Sequence, residues 1–223
     1  MFNKLLVANR GEIALRIIRA CQELGIKTVA VYSEADRESL HTRFSDEAVC
    51  IGPASPNESY LDVSRIIAAA EITGSDAIHP GYGFLAENAE FSEICQRSEI
   101  VFVGPSANQI KEMGDKATAR ETMQRVGVPT VPGSDGLVTS VDEAKSIAHD
   151  IGFPVMLKAS AGGGGKGMRV VENEEDLSRL FHTTQAEAQA TFGRADVYIE
   201  KYITEIRHVE IQIFGDSQGK VVH

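Results

Sequence analysis

The sequence has no apolar run as long as the ~18 residues that a membrane-spanning helix needs. It has no excess of basic residues either. Lysine and arginine together number 22 against 32 aspartates and glutamates, a formal net charge of −10. Nucleic acids are held through cations that neutralise phosphates, so this balance argues against such a partner. Cysteine is scarce and odd in number, with only Cys21, Cys50 and Cys95. These lie far apart and fit neither a disulfide framework nor a zinc-ligand spacing. Three buried, reduced thiols in a cytosol-like compartment are expected. Met1-Phe2-Asn3-Lys4 leads straight into an apolar run, without the regions of a signal peptide. No internal repeat or low-complexity tract occurs. There remain 223 residues with 43% hydrophobic and 24% charged content, enough for one large or two small globular domains.

The first hundred or so residues alternate short apolar runs with amphipathic stretches. Lys4–Ala8, Lys27–Tyr32, Glu47–Ile51, Asp76–His79 and Ile100–Val103 read as strands. Glu12–Leu24 reads as a helix with Ile13, Ile17, Ile18, Cys21 and Leu24 on its apolar face, stopped by Gly25. Ser59–Thr73 and Asn88–Ser98 read as two more. Alternating strand and helix predicts an α/β fold with a doubly wound parallel sheet and right-handed crossovers. Ligands of such sheets sit at the carboxyl ends of the strands. Asn9-Arg10-Gly11 and His79-Pro80-Gly81-Tyr82-Gly83 both fall there.

A helix over Asp115–Val126 follows, then a turn-rich connection carrying Pro129, Pro132, Gly133 and Gly136. Ser140-Val141-Asp142-Glu143 reads as a capping box opening a helix that ends at Gly152. Strands are expected at Pro154–Lys158, Met168–Val171 and Val197–Tyr202, with a helix from Glu174 to about Phe192 capped by Asn173. Arg207–Phe214 alternates, with Val209, Ile211 and Ile213 on one face, which predicts a strand. Asp216–Gly219 reads as a hairpin turn.

The stretch richest in chemistry is Ala161–Met168, A-G-G-G-G-K-G-M. Consecutive glycines let backbone N–H groups close on an anion, and a lysine among them makes a phosphate cradle. A Walker A loop is excluded, because Ser160 stands where its first glycine belongs and Gly167 where Ser or Thr belongs. Gly162, Gly164 and Gly167 match G-x-G-x-x-G, but that fingerprint must open a helix and this one opens onto the strand Met168–Val171. A hairpin loop closing over nucleotide phosphates fits better. A plain linker would alternate glycine with serine and polar residues.

Four motifs carry a family resemblance. They are A-N-R-G-E-I-A-L-R-I-I-R-A from Ala8, H-P-G-Y-G-F-L-A-E-N from His79, K-A-S-A-G-G-G-G-K-G-M from Lys158, and E-K-Y-I from Glu200. In this order they resemble the biotin carboxylases, over the whole chain. The resemblance implies an ATP-grasp fold: an α/β pre-domain at 1–113, a linker helix and turn at 114–131, a small α+β lid at 132–203, and the truncated start of the large ATP-grasp domain at 204–223. It implies ATP-dependent carboxylation of biotin by bicarbonate with Mg²⁺ or Mn²⁺. The biotin would ride on a biotin carboxyl carrier protein, with carboxyltransferase subunits as further partners. Acetyl-CoA carboxylase is the complex it puts first, and propionyl-CoA and pyruvate carboxylases share the motifs. The cytoplasm is the implied location, or the plastid stroma for a processed chain.

By the same resemblance, Lys116 and Lys158 are the lysines that hold the ATP phosphates. Gly164 and Gly165 are the lid's backbone donors. Glu200, Lys201, Tyr202 and Ile203 form the hinge that reads adenine through main-chain groups, and His208 is a nucleotide-site histidine. Glu87 falls near the closed site. His79 is read instead as a turn-stabilising residue. Arg19 and Glu23 would lie at a homodimer interface. On pattern alone Lys116 is a solvated helix-start residue, Glu200–Ile203 an edge strand, His208 a surface residue and Arg19 part of a solvated face. The family's metal-binding glutamates and its bicarbonate- and biotin-binding basic residues come later than anything here. The chain is therefore expected to be the head of a longer polypeptide, inactive by itself. Another ATP-grasp ligase and a non-catalytic nucleotide-binding or dimerisation module are the alternatives.

Overall fold

Apolar runs and amphipathic stretches pack as a parallel sheet between helices in the computed structural model, which describes residues 2–159 and 167–223. The chain divides into two units, Met1–Ala119 and Arg120–His223. The first holds β1 (Lys4–Val7), α1 (Gly11–Glu23), β2 (Lys27–Ser33), α2 (Leu40–Phe44), β3 (Glu47–Gly52), α3 (Val63–Thr73), β4 (Ala77–His79), α4 (Ala89–Arg97), β5 (Val101–Phe102) and α5 (Ala107–Gly114). Its five strands run parallel in the order β3-β2-β1-β4-β5. The order reverses between β1 and β4, as a doubly wound sheet requires.

Neighbouring residues along β1 face opposite cores, which is why the strand reads as an unbroken apolar run. Leu5 and Val7 pack with Ala14, Ile17, Ile18 and Cys21 of α1. Leu6 and Ala8 pack with Ile66, Ala69 and Ala70 of α3 and with Phe91 and Cys95 of α4. Leu24 departs from its expected burial and is 69% exposed. The helix stops at Glu23, Leu24 is its C-cap, and Gly25 turns the chain at φ 71°. Cys50 is also a correction, since it is exposed. It sits on β3, an edge strand with solvent beside it.

α3 starts at Val63, later than Ser59, because Asp62 takes the Arg65 N–H and caps it there. α5 is a helix that the sequence reading passed over. Its signal was present as Ser106-Ala107-Asn108-Gln109, a capping box with both reciprocal bonds formed. At Ser140 the expected box is half made. Ser140 accepts the Glu143 N–H, but the Glu143 carboxylate reaches back to Thr139.

His41 of α2 is 1% exposed, with Nε2 3.2 Å from the Val31 carbonyl. Its Nδ1 is buried without a partner. Burial pushes the His41 and His79 imidazoles below their ordinary 6.5. The unfolded chain then binds protons that the folded chain refuses. Stability from this source is complete above pH 6.5 and is lost as the pH falls below it. Urea unfolding at pH 7.5 and pH 5.5 should show the loss, at no more than about 1.4 kcal/mol per pH unit for each histidine. His41→Gln should reduce the slope.

α6 (Lys116–Arg125) spans the division between the units. The second unit continues with α7 (Val141–Ile151), β6 (Val155–Ala159), β7 (Met168–Val171), α8 (Glu174–Phe192), β8 (Val197–Lys201), β9 (Phe214–Gly215) and β10 (Val221–Val222). β6 is central in an antiparallel sheet ordered β7-β6-β8. Arg207–Ile213 does not form the expected strand. A strand needs a neighbour to bond to, and here only the two-residue ladder of β9 with β10 forms, around the Asp216–Gly219 turn. Val209, Ile211 and Ile213 are left exposed.

Candidate nucleotide site

Alternation along β6 and β8 sorts their side chains onto two faces. Val155, Leu157, Val197 and Ile199 are fully buried under Ala144 and Ala148 of α7 and Leu177 and Phe181 of α8. Met156, Lys158, Tyr198 and Glu200 therefore share the other face, joined by Met168 and Val170 through the register of β7. Lys158 and Glu200 are diagonal neighbours there and form an ion pair. Their side chains are 24% and 18% exposed, so the pair is well shielded. The Lys158 ammonium also lies 6.0 Å from the centre of the Tyr198 ring. Burial, aided by the Glu200 charge, pushes the Tyr198 phenol up to about 12, against an opposing pull from Arg120.

The end of β8 is held by its N–H groups. Lys201 donates to the Pro132 carbonyl at 2.7 Å, and Tyr202 to the Pro154 carbonyl at 3.1 Å. Gly133 bridges Glu200, so residues 132 and 201 face each other as a pair that would exchange two bonds. Proline has no N–H to return, which leaves the Lys201 carbonyl without that partner. Gly133 itself is required, because a Cβ there would lie 2.3 Å from the Ile199 carbonyl oxygen. The Lys201 ammonium is committed elsewhere, donating at 2.9 Å to both the Gly152 and Phe153 carbonyls. Ile203 is 45% exposed just beyond.

Because β6 and β8 are antiparallel, Lys158 lies opposite Tyr198 near the start of β8, and Lys201 lies opposite Val155 at the other end of the sheet, with Glu200 between them and its side chain reaching Lys158. His208 is exposed and contacts Glu210 at 3.2 Å. Lys116 begins α6. Gly164 and Gly165 lie outside the described residues. Sequence reasoning missed Tyr198, although its place two residues before Glu200 on a strand already put both on one face.

In the first unit, Asn9 and the loop after β4 meet at the carboxyl ends of β1 and β4. Asn9 is 4% exposed and its amide donates to the carbonyls of Pro80 and Tyr82, at 2.7 and 2.8 Å. His79 Nδ1 accepts the Gly81 N–H at 3.0 Å, the turn-stabilising role expected of it. Tyr82 bonds Glu12, and Glu87 is exposed. Arg10 lies over Tyr60 and Phe84 and pairs with Asp36, which also accepts the Tyr60 hydroxyl. That cluster was not foreseen, because its members are spread over some 75 positions of chain. Arg19 stacks on Phe44 of α2, 6.0 Å from the ring centre. No group of three or more His, Cys, Asp or Glu able to hold a metal ion occurs among the described residues.

Residues 1–110 match the family described as biotin carboxylase, N-terminal domain. Residues 115–223 match that of the carbamoyl-phosphate synthase L chain, ATP binding domain. Biotin carboxylase 1 of Bacillus subtilis is 59% identical over 223 residues, all of this chain and 50% of that protein. The 2-oxoglutarate carboxylase small subunit of Hydrogenobacter thermophilus is 54% identical over all of this chain, with 47% of its own length covered. A crystal structure of the Campylobacter jejuni biotin carboxylase–βγ-ATP complex superposes with a TM-score of 0.90 at 52% identity, over all of this chain and 50% of that one. The biotin carboxylase domain dimer of Hydrogenobacter thermophilus 2-oxoglutarate carboxylase, in complex with MgADP, ADP and bicarbonate, gives 0.85 at 54% identity, over 99% of this chain and 49% of that one. The chain spans about half the length of the curated relatives it matches. With its N-terminal unit, its lid sheet and its glycine run all matched in order, the chain belongs to the biotin carboxylase family of ATP-grasp proteins.

Proposed function

We propose that this chain supplies the nucleotide-holding part of an enzyme that carboxylates biotin, carried on a carrier protein, from ATP and bicarbonate. The observation that carries the reading is the shielded Lys158–Glu200 pair on the face of the sheet opposite α7 and α8, with Lys158 near the end of the strand that leads into the glycine run. Lys158 presents a cation to the phosphates, together with Lys116 and the amides of Gly164 and Gly165. The Lys201 carbonyl and the Ile203 N–H supply the acceptor and donor that one edge of adenine needs, with Ile203 as its apolar wall. His208 completes the nucleotide contacts. Mg²⁺ or Mn²⁺ would screen the phosphates, and its ligands are assigned to no residue here. Similar structures, solved as complexes with βγ-ATP and with MgADP and bicarbonate, support this substrate set. The test is ADP release, with free biotin, by the full-length protein that carries this chain. Release that needs both biotin and bicarbonate is expected. Release indifferent to both would favour a different ATP-grasp ligase.

Acetyl-CoA carboxylase, in fatty-acid synthesis, is the complex proposed, with carboxyltransferase subunits downstream and the cytoplasm or plastid stroma as its place. A component of a 2-oxoglutarate or pyruvate carboxylase is the second reading, favoured by 54% identity to one of each. Both readings share the biotin half-reaction. Homodimerisation through Arg19 and Glu23 is proposed as well. The exposed side chains of Leu24, Leu40 and Phe44 add apolar area near Arg19. Arg19→Glu should shift the protein towards monomer in analytical ultracentrifugation at micromolar concentration, because a two-fold axis counts each change twice. An unchanged sedimentation coefficient would exclude this surface.

A further inference from the structure

Pro132 stands opposite the last residue of β8. Lys201 donates its N–H to the Pro132 carbonyl at 2.7 Å. The antiparallel bridge of Gly133 with Glu200 makes 132 and 201 a pair that would exchange two bonds in an unbroken ladder. The second bond would run from the N–H of residue 132 to the Lys201 carbonyl. Proline has no N–H, and no donor to that carbonyl occurs among the described residues. The register around this gap is fixed. Ser134 donates its N–H to the Ile199 carbonyl at 2.8 Å, and its hydroxyl oxygen accepts the Ile199 N–H at 3.2 Å. Gly133 passes so close to β8 that a Cβ there would lie 2.3 Å from the Ile199 carbonyl oxygen. Any residue with an N–H at 132 would therefore be held where it closes the ladder on Lys201.

Backbone groups two residues apart on a strand point to the same edge. The Tyr202 N–H points to the other edge, to the Pro154 carbonyl at 3.1 Å, so the alternation continues past Lys201. The Lys201 carbonyl and the Ile203 N–H then share the edge that Pro132 borders, and Pro132 is exposed. Adenine carries an amine at C6, which donates to a carbonyl. Guanine and hypoxanthine carry an oxygen there, which a carbonyl repels. A ladder bond would spend part of the accepting capacity of the Lys201 carbonyl and turn it towards residue 132.

We propose, on the basis of that nucleotide reading, that Pro132 is a positioning residue that sets base specificity. By withholding an N–H, it keeps the Lys201 carbonyl free for the amine of adenine.

The test compares MgADP with MgIDP, whose hypoxanthine lacks the amine, by calorimetry on the full-length protein that carries this chain. Pro132→Ala should weaken MgADP by about five- to tenfold, the worth of one hydrogen bond, and leave MgIDP within about twofold. Retained MgIDP binding also shows that the lid is folded. Pro132→Val should act like alanine, since both supply the same N–H. In the free alanine variant the new amide at 132 should be protected from hydrogen exchange. Equal weakening of both nucleotides, or an effect that follows side-chain size, would mean that the proline ring shapes the pocket and would overturn the proposal. Unchanged MgADP affinity, or an unprotected amide at 132, would overturn it too. Absence of MgADP binding by the wild type would instead bring down the nucleotide reading, before any substitution is compared.

Discussion

In the full-length protein that carries this chain, Lys158→Ala is expected to lower kcat/KM for ATP by about two to three orders of magnitude, the usual loss on removing one preorganised group that stabilises transition-state charge. The physical basis is position. Lys158 stands on the central strand of the sheet, opposite Tyr198, with its ammonium 6.0 Å from the centre of that ring. Its ammonium is held at the face by Glu200 rather than left to wander in solvent. A cation so placed needs little reorganisation when phosphate arrives. Both alanine and methionine leave Glu200 without its partner, but alanine also removes the stem, and with it part of the packing on this face. Lys158→Met keeps the stem and removes only the charge. It should lose nearly as much activity as alanine while melting closer to the wild type. Wild-type kcat/KM in either variant would remove Lys158 from the phosphate site.

Period and punctuation made most of the fold legible. Strands buried on both faces read as apolar runs, and Leu5 and Leu6 do pack into opposite cores. Glycine at the ends of α1 and α3 marked where they stop, at φ 71° and 64°. Arg207–Phe214 shows where pattern fails. Alternation states which face a strand would bury, and says nothing about whether a partner strand is there to bond it. Ile211 and Ile213, 68% and 64% exposed, have the pattern without the partner. The site was legible only through the glycine run and the family motifs. That Glu200 holds Lys158 across the sheet, or that Pro132 leaves the Lys201 carbonyl open, depends on registers between stretches some 40 to 70 residues apart. No local pattern encodes such a register.

Phe181→Ala should cost the second unit about 3–5 kcal/mol, the range for deleting a fully buried aromatic ring. Phe181 is 1% exposed on α8, packed in one cluster with Leu157, Leu177 and Ile199. The first unit has its own two clusters, built from other residues. The loss is therefore expected to stay local. Native-state hydrogen exchange should show amide protection in β6, α8 and β8 falling by about a hundredfold or more, while β1 and β2 keep theirs. Equal loss in both units would show that they open as one cooperative body. The functional consequence follows from the two faces of the lid sheet. Phe181 covers the buried face, and Lys158 and Glu200 stand on the other. The substitution removes no group from the nucleotide face, so intrinsic affinity should be unchanged while the lid is folded. Apparent affinity falls only by the fraction of molecules whose lid is formed. MgADP titrations should thus match the wild type when cool and weaken steeply on warming, and saturating MgADP should restore part of the lost protection in β6 and β8. Weak binding at every temperature, with the lid still protected, would mean that the aromatic core shapes the nucleotide face directly.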